Sequence, residues 1–235
     1  MLAIFKRELK AYFTGVIGYV FLVIYLAVAG ILFGYTTLMS MSSDMSVYYT
    51  LMLIFSAVTL PLLTMKSFSE ERKIKTEQLV LTSPVSLVSM VMGKFLAATA
   101  VFAGATLVSS LSFVILYRYA SVKTAMLFGN FIALLLVGMT FISIGMFVSS
   151  LTENQLAAAV GTIGIILAVL AVGVLTSLVP SNYWIRFVLD SLSVFTRFQS
   201  FTNGYFDFSS VLFYLSLSAI FLYLTVRVYD RRRHG

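Results

Sequence analysis

The sequence predicts an all-α integral membrane protein in which six helices cross the membrane. Hydrophobic residues make up 60% of the 235 residues and charged residues only 11%, whereas an ordinary soluble domain has about 45–50% apolar and 25% charged residues. The apolar residues fall in six long uncharged windows, and the basic residues collect in alternate connections between them. Because no charged stretch is long enough to supply the surface of a soluble domain, we expect residues 1–235 to form a single transmembrane domain.

The six windows each reach the length of about 18 residues that crossing the hydrocarbon core requires. They cover residues 16–39, 46–65, 95–117, 126–149, 156–179 and 209–226. The first follows three basic residues, as a signal peptide would, but its apolar run is far longer than the roughly 7–15 residues of a signal peptide's hydrophobic region. Pro61, near the end of the second window, predicts either a kink in that helix or its end.

The distribution of lysine and arginine predicts the orientation. The N-terminus carries three of these residues, the connection after the second span five and the C-terminus four. With six spans these segments share one side of the membrane, which then collects 12 of the 16 basic residues. The positive-inside rule assigns that side to the cytoplasm. We therefore expect a multi-pass protein of the cytoplasmic (inner) membrane with both termini inside the cell.

Two segments outside the windows have amphipathic patterns. In residues 2–13, apolar side chains recur at helical spacing with cations on the adjoining face, which predicts a helix lying in the inner interface against membrane lipids. The alternative there is a frayed start to the first span. Residues 180–208 alternate aromatic and charged side chains, which predicts one or two short helices at the outer face. They would form either a lid over an exit route or a passive interfacial belt.

The connection at 66–94 mixes charged residues with an apolar run too short to cross a membrane. Glu70 and Glu71 precede a group of basic residues, a pattern that favours ion pairs within one helix. Ser83 followed by Pro84 has the form of a helix start. We therefore expect a folded cytoplasmic element with two short helices, the alternative being a solvated loop that only fixes the topology.

The second connection on that side is the short segment 149–155, in which Glu153 is the only charged residue. Thr152 is a candidate cap for the fifth span. The positive-inside rule does not explain an acidic charge here. The segment is therefore either a docking point for a partner or a simple turn.

Several functional classes are disfavoured by what the sequence lacks. There is no cysteine, so disulfides, iron-sulfur clusters and thiolate zinc sites are excluded. The only histidine is His234, and no window holds an ionisable residue, which disfavours ion-coupled carriers and intramembrane proteases. The net charge of +7 comes from basic flanks of the spans, so nucleic acid is not an expected partner. Without a phosphate-binding glycine loop, any energy source must be another chain.

Four stretches together resemble the permease subunit of type 2 ATP-binding-cassette (ABC) transporters. They are RELKAYF at 7–13, FSEERKIKTEQLVLTSPVS at 68–86 with GK at 93–94, GMFVSSLTENQLAAA at 145–159, and YDRRR at 229–233. The pattern is most similar to the small branch that includes the gliding-motility-associated permease and the permease of nitrous-oxide reductase maturation. With the six spans, the resemblance covers essentially the whole chain.

The resemblance implies that a coupling helix between spans 2 and 3 sits in a cleft of a separate cytoplasmic ATPase. The residues carried over to this coupling region are Glu70, Glu71, Arg72, Thr76, Glu77, Leu79 and Pro84. A second contact with the ATPase would involve Leu151, Thr152, Glu153, Asn154 and Gln155. The resemblance also implies an N-terminal interfacial helix and short extracellular helices between spans 5 and 6.

The family assembles two permeases with an ATPase dimer, so the resemblance implies that this chain forms half of a translocation pathway. The chain itself would bind no cofactor and catalyse no reaction, because ATP and Mg would bind to the ATPase. The expected function is the permease subunit of an ATP-driven exporter. A noncatalytic membrane anchor or assembly scaffold and a facilitator or channel are the alternatives. The substrate and the choice between homodimer and heterodimer stay open.

Overall fold

The computed structural model describes residues 1–41, 44–78, 86–119, 124–178, 190–191, 193–204 and 207–234, and every regular element in these ranges is helical. The main helices are α1 (Leu2–Thr14), α2 (Val16–Phe33), α3 (Ser46–Thr64), α4 (Lys66–Lys73), α5 (Leu87–Ser110), α6 (Ser112–Tyr119), α7 (Thr124–Leu151), α8 (Gln155–Leu178), α9 (Val194–Thr202) and α10 (Phe208–His234). A π-helical segment, Gly34–Met39, continues α2. The predicted all-α fold class is confirmed.

Six helical stretches of the described chain are long and apolar enough to cross a membrane, as the sequence predicted. They are Val16–Met39, Ser46–Lys73, Leu87–Val114, Met126–Leu151, Gln155–Val174 and Phe208–Arg233. Each overlaps one of the predicted windows. The length and composition of these helices make the chain a multi-pass membrane protein.

The third and sixth helices extend beyond their apolar windows into charged sequence. α5 begins at Leu87 rather than at residue 95, because the Ser86 hydroxyl accepts a hydrogen bond from the Ser89 backbone N–H at 3.3 Å and caps its first turn. α10 continues through the basic C-terminal residues to His234. Apolar windows measure the part of a helix that suits lipid, whereas the backbone hydrogen bonds of a helix continue into polar turns. The predicted start of the third span was therefore wrong by eight residues.

The second span continues as α4 after one residue, Met65, that lies between the two helices. Pro61 lies inside α3 and does not end it, because the Met65 N–H donates to the Pro61 carbonyl at 2.8 Å. The charged segment that follows the span is therefore a direct helical extension of it, which transmits displacement better than a flexible loop would.

α1 folds back along the start of α5. Gly15, in an extended conformation with φ −90° and ψ 163°, separates α1 from α2. A Cβ atom at Gly93 of α5 would lie 2.9 Å from the Ile4 side chain, and the Tyr12 hydroxyl donates to the Leu63 carbonyl at 3.4 Å. Residues 2–13 therefore form a docked helix and not a frayed start to the first span. Its location in the membrane interface stays a prediction.

α7 lies at the centre of the bundle and packs against α3, α4, α5, α8, α9 and α10. In its most apolar stretch 72% of the residues are buried, compared with 22–28% in the spans formed by α2, α8 and α10. Those three spans therefore lie at the perimeter of the described bundle. At the end opposite to α1, α9 packs on α7 and α8 and is capped by Ser193, whose hydroxyl accepts the Thr196 N–H at 3.0 Å. Of the short helices predicted within 180–208, α9 is the one described in full; residues 180–189, 192 and 205–206 lie outside the described residues.

Two glycines of α7 allow its neighbours to approach closely. A Cβ atom at Gly138 would overlap the ring of Phe102 in α5, and one at Gly145 would overlap the Thr64 hydroxyl of α3. Phe102 and Thr64 are themselves completely buried, so neither side chain has free space to move into. Small residues at these positions are therefore a packing requirement of the central helix.

We expect Gly138→Ala to destabilise the bundle by about 1–3 kcal/mol, because the added methyl group overpacks a filled core. Denaturant titration in detergent micelles, followed by circular dichroism, measures the change. Gly129→Ala in the same helix is the matched control, because a Cβ atom there meets nothing within 4 Å. Equal stability of the two variants would contradict the proposed close contact.

Candidate functional site

The predicted site residues gather at one end of the bundle, which we call the basic end. It is formed by α1, α4, the start of α5, the segment 149–155 and the last turns of α10. Four sets of polar contacts hold these elements together. Each set includes at least one contact between residues that are distant in the sequence.

The first set centres on Lys94, whose side chain is only 3% exposed although it lies in the second turn of α5. Its Nζ atom lies 2.8 Å from Oε1 of Glu71 in α4 and 3.3 Å from Oε1 of Glu8 in α1. The same ammonium lies 5.3 Å from the ring centroid of Phe68. One buried cation therefore links α1, α4 and α5, and it needs both carboxylates because burying an unpaired charge is costly.

Arg7 closes this cluster at its exposed side. Its Nη2 atom lies 2.6 Å from Oε1 of Glu8 and 3.6 Å from Oε1 of Glu71. The hydrogen bond to Glu8 raises the pKa of the Arg7 guanidinium above its already high usual value. The four side chains Arg7, Glu8, Glu71 and Lys94 thus balance two positive against two negative charges, and we call them the Lys94 cluster.

Ser149, near the end of α7, forms the second set of contacts. Its hydroxyl oxygen accepts hydrogen bonds from the backbone N–H groups of Phe68 and Ser69, both at 3.1 Å, and donates to the Met65 carbonyl at 3.1 Å. The first N–H groups of a helix have no partner within the helix. A side chain of α7 therefore satisfies the start of α4 in a fully buried position.

The third set joins α4 to the segment 149–155. Nε of Arg72 lies 2.9 Å from Oε1 of Glu153, and Nη1 of Arg72 donates to the Leu151 carbonyl at 3.0 Å. The acidic charge of Glu153, which the positive-inside rule did not explain, is therefore the partner of an arginine from the predicted coupling region.

The cap of the fifth span is Asn154 rather than Thr152. Oδ1 of Asn154 accepts the N–H groups of Leu156 and Ala157 at 3.0 and 3.4 Å, in the first turn of α8. The Thr152 hydroxyl instead accepts the Asn154 N–H at 3.1 Å and shapes the turn before the cap. Both residue types are good caps, and the prediction of Thr152 was wrong because Asn154 lies immediately before the first helical residue.

The fourth set involves Arg232 on the last turns of α10. Its Nη1 atom lies 2.9 Å from Oε1 of Glu77, and its Nη2 atom donates to the Ser150 carbonyl at 2.7 Å. The guanidinium lies 5.4 Å from the ring centroid of Tyr229, and that ring lies 5.0 Å from the ring of Phe68 in α4. The C-terminal helix is thereby attached both to the segment after α4 and to the end of α7.

The remaining predicted residues make fewer contacts. Glu70 forms an exposed pair with Lys66, one turn earlier in α4, at 3.7 Å. The Thr76 hydroxyl donates to the Glu71 carbonyl at 3.3 Å, and Gln155 begins α8 beside the turn. Leu79 and Pro84, together with the helix start predicted at Ser83, lie outside the described residues.

Ion pairs within α4 were expected for Glu70 and Glu71, and the structure corrects this for Glu71. Its carboxylate pairs with Lys94 of α5 and Arg7 of α1. Five residues of this end lie in the stretches that carry the resemblance but had no individual role in the sequence analysis: Glu8, Lys94, Ser149, Tyr229 and Arg232. Two of them had a visible signal: Glu8 is the one acidic residue in the basic N-terminal segment, and Lys94 follows Gly93 at the edge of an apolar window.

Two open grooves flank α4 at the basic end. The larger, of 580 Å³, lies between α1 and α4 and is lined by both charged and apolar side chains, among them Arg7, Lys66 and Val16. The smaller, of 420 Å³, is lined by Lys73 and the residues from Glu153 to Leu156. Within the described ranges no cluster of side chains could hold a metal ion. The arrangement is suited to docking and mechanical linkage, because the charges of Glu71, Arg72 and Glu77 are paired within the chain whereas that of Lys73 is exposed.

We expect Lys94→Met to destabilise the protein by about 3 kcal/mol, because it leaves two sheltered carboxylates without their cation. Lys66→Met is the matched control: it breaks an exposed pair in α4, with side chains 38% and 43% exposed, and should cost less than about 1 kcal/mol. Denaturant titration in detergent micelles compares the two variants. Similar losses for both lysines would show that the Lys94 cluster does not hold the basic end together.

Comparison with known proteins agrees with this architecture. A family model described as "ABC-2 family transporter protein" matches residues 2–233 and so includes all six spans and the basic end. No curated protein matches the chain, and the particular likeness to the gliding-motility and nitrous-oxide-reductase permeases stays a prediction. Proteins of the matched family are membrane transport components that are not themselves catalytic. Because the match covers nearly all of the 235 residues, the chain belongs to the ABC-2 family of transporter proteins and is a permease subunit of an ABC transporter.

Proposed function

We propose that this chain is the permease of an ATP-driven exporter and that its basic end receives the force of a separate cytoplasmic ATPase. ABC-2 permeases generally partner with such an ATPase. The observation that carries the proposal is the attachment of α4 to four other helices: to α1 and α5 through Lys94, to α7 through Ser149, and to α10 through Phe68 and Tyr229. A loop that only fixed the topology would not need these links.

The coupling residues divide into two groups under this proposal. Glu71, Arg72 and Glu77 are paired with other helices of the permease, so they transmit displacement within the chain. Glu70 is exposed on α4 beside the larger groove, and Lys73 borders the smaller one. These two side chains face the partner in our proposal, together with Leu79, Pro84 and the turn from Thr152 to Gln155.

The mechanism then follows from rigid linkage. ATP and Mg bind to the ATPase, and closure of the ATPase dimer displaces α4 and the segment after it. Because α4 is bonded to α5 and α7 and packs on α10 through Phe68 and Tyr229, the displacement moves these spans as packed bodies, which is the usual form of a switch between two packed states. Two permeases form the pathway, and the substrate leaves between them. A mere anchor would bind the ATPase without changing its hydrolysis.

The basic end faces the cytoplasm in this proposal, with both termini inside the cell and the chain in the cytoplasmic membrane. The support is the count of basic residues, 12 of 16, in the segments that gather at this end.

Glu70→Lys combined with Lys73→Glu should weaken binding of the ATPase about tenfold, since reversed charges on a docking surface meet like charges on the partner. The measurement is the amount of ATPase that copurifies with the permease and the hydrolysis rate of the purified complex. The permease itself should keep its unfolding transition, because both side chains are exposed. Glu71→Lys is a poor substitute, since it would disrupt the Lys94 cluster.

Arg227→Gln, an exposed change on α10, is the control and should leave the copurified ATPase unchanged. Unaltered binding and hydrolysis in the Glu70, Lys73 double variant would contradict the docking surface. Binding without any effect of the permease on hydrolysis would favour the anchor.

Single cysteines test the orientation directly, because the natural chain contains none. A membrane-impermeant maleimide should label Lys73→Cys only after cells are permeabilised. Met41→Cys, at an exposed position of the opposite end, should be labelled in intact cells. Labelling of Lys73→Cys from outside would reverse the topology and remove the basis for a cytoplasmic ATPase at this end.

A further inference from the structure

α10 has polar attachments at both ends of the bundle. At the basic end Arg232 holds Glu77, a residue 155 positions earlier in the chain. At the opposite end the Tyr214 hydroxyl donates to the Val194 carbonyl, the first residue of α9, at 2.8 Å. Tyr214 and Arg232 are separated by 18 residues of uninterrupted helix, which at 1.5 Å per residue span about 27 Å.

We propose that α10 is a rigid strut that passes displacement of the α4 region to α9, with Arg232 and Tyr214 as its two positioning residues. The inference rests on the proposed function, because it presupposes an ATPase that displaces α4. It adds to that function the element that receives the displacement. The helix α9, at the far face, would move when nucleotide binds at the basic end.

The attachment at Arg232 is suited to transmit force. The side chains of Arg232 and Glu77 are 25% and 11% exposed, so their attraction is less screened by solvent than that of surface pairs. The planar guanidinium also bonds two oxygens from different elements, Glu77 Oε1 and Ser150 O, a geometry that a lysine does not reproduce. Arg231 and Arg233 on either side are exposed. Within the run of three arginines, only the middle one is turned inward.

The half of α10 that contains Tyr214 is hydrogen-bonded to the central helix α7, which keeps α10 from sliding along α7. The Thr140 hydroxyl of α7 lies 3.3 Å from the Tyr214 carbonyl and 3.2 Å from the Ser218 hydroxyl. The three side chains are almost completely buried. α10 packs along α7 more extensively than any other pair of helices in the described chain. Because α10 is one continuous helix that is held on α7, we expect displacement of its basic end to displace its other end as well.

The experiment uses the complex of the full chain with its ATPase in lipid nanodiscs, with one environment-sensitive fluorophore on a single cysteine. Lys75→Cys, at an exposed position just after α4, reports on the basic end, and Gln199→Cys, at an exposed position of α9, reports on the far end. Both labels should respond to ATP with Mg in the otherwise unchanged chain. With Arg232→Gln the response at position 199 should fall at least fivefold, whereas the response at 75 persists.

Tyr214→Phe removes only the hydroxyl at the other attachment and should cause the same selective loss at position 199. Arg233→Gln is the matched control, because it removes a neighbouring exposed arginine and should leave both responses intact. Exchange of the charges, Glu77→Arg with Arg232→Glu, should restore at least half of the response at 199. Since a variant that is merely unfolded would lose both signals, the selective loss distinguishes transmission from stability.

An undiminished response at position 199 in Arg232→Gln or in Tyr214→Phe would overturn the strut. A loss at both positions in these two variants would also overturn it, by showing a general structural role. If the label at 75 did not respond to nucleotide in the chain without a change in α10, the proposed function itself would be wrong, and this outcome is distinguishable because it appears without any substitution in α10.

Discussion

The buried ammonium of Lys94 is the interaction on which the arrangement of the basic end depends. A cation with a 3% exposed side chain must be paired, and the two carboxylates within reach belong to two other helices, α1 and α4. Glu8 brings α1 back along α5, and Glu71 fixes α4 at the end of the second span. Charges from which the positive-inside rule predicts the orientation therefore also contribute to the tertiary structure at this end.

Polar contacts are arranged differently inside the bundle and at its ends. In the middle of the spans, hydroxyl groups such as those of Thr59 and Thr162 bond to the carbonyl four residues earlier in their own helix. Such bonds satisfy the hydroxyl without linking two helices. At the basic end the side chains bond across helices. Within the described spans, cross-helix bonds such as those from Thr140 of α7 to α10 are the exception, whereas at the basic end they connect the helices to the segment that an ATPase would move.

The parts of this structure that the sequence predicted are those set by the thickness of the bilayer. Six apolar windows gave six helices because each span must satisfy its own backbone in lipid, and their charged flanks gave an orientation that labelling can test. Contacts between helices were not predictable in the same way. Glu71 has suitable cations one turn away in its own segment and yet pairs with Lys94. The two residues are brought together only by the packing of α5, which begins at Leu87, against α4. Arg232 lies in a run of three arginines, and only the rotation of α10 turns it, rather than Arg231 or Arg233, inward.

Phe68 lies between the Lys94 ammonium and the Tyr229 ring of α10, and it limits how α4 moves. Its ring is completely buried, with the Lys94 ammonium 5.3 Å and the Tyr229 ring 5.0 Å from its centroid. A displaced α4 carries this ring with it, because Phe68 is part of α4. The Phe68 backbone N–H also donates to the Ser149 hydroxyl of the central helix. A cavity in so dense a core is costly, so the groups packed on the ring must follow it. Movement of α4 is consequently shared between α5, through Lys94, and α10, through Tyr229.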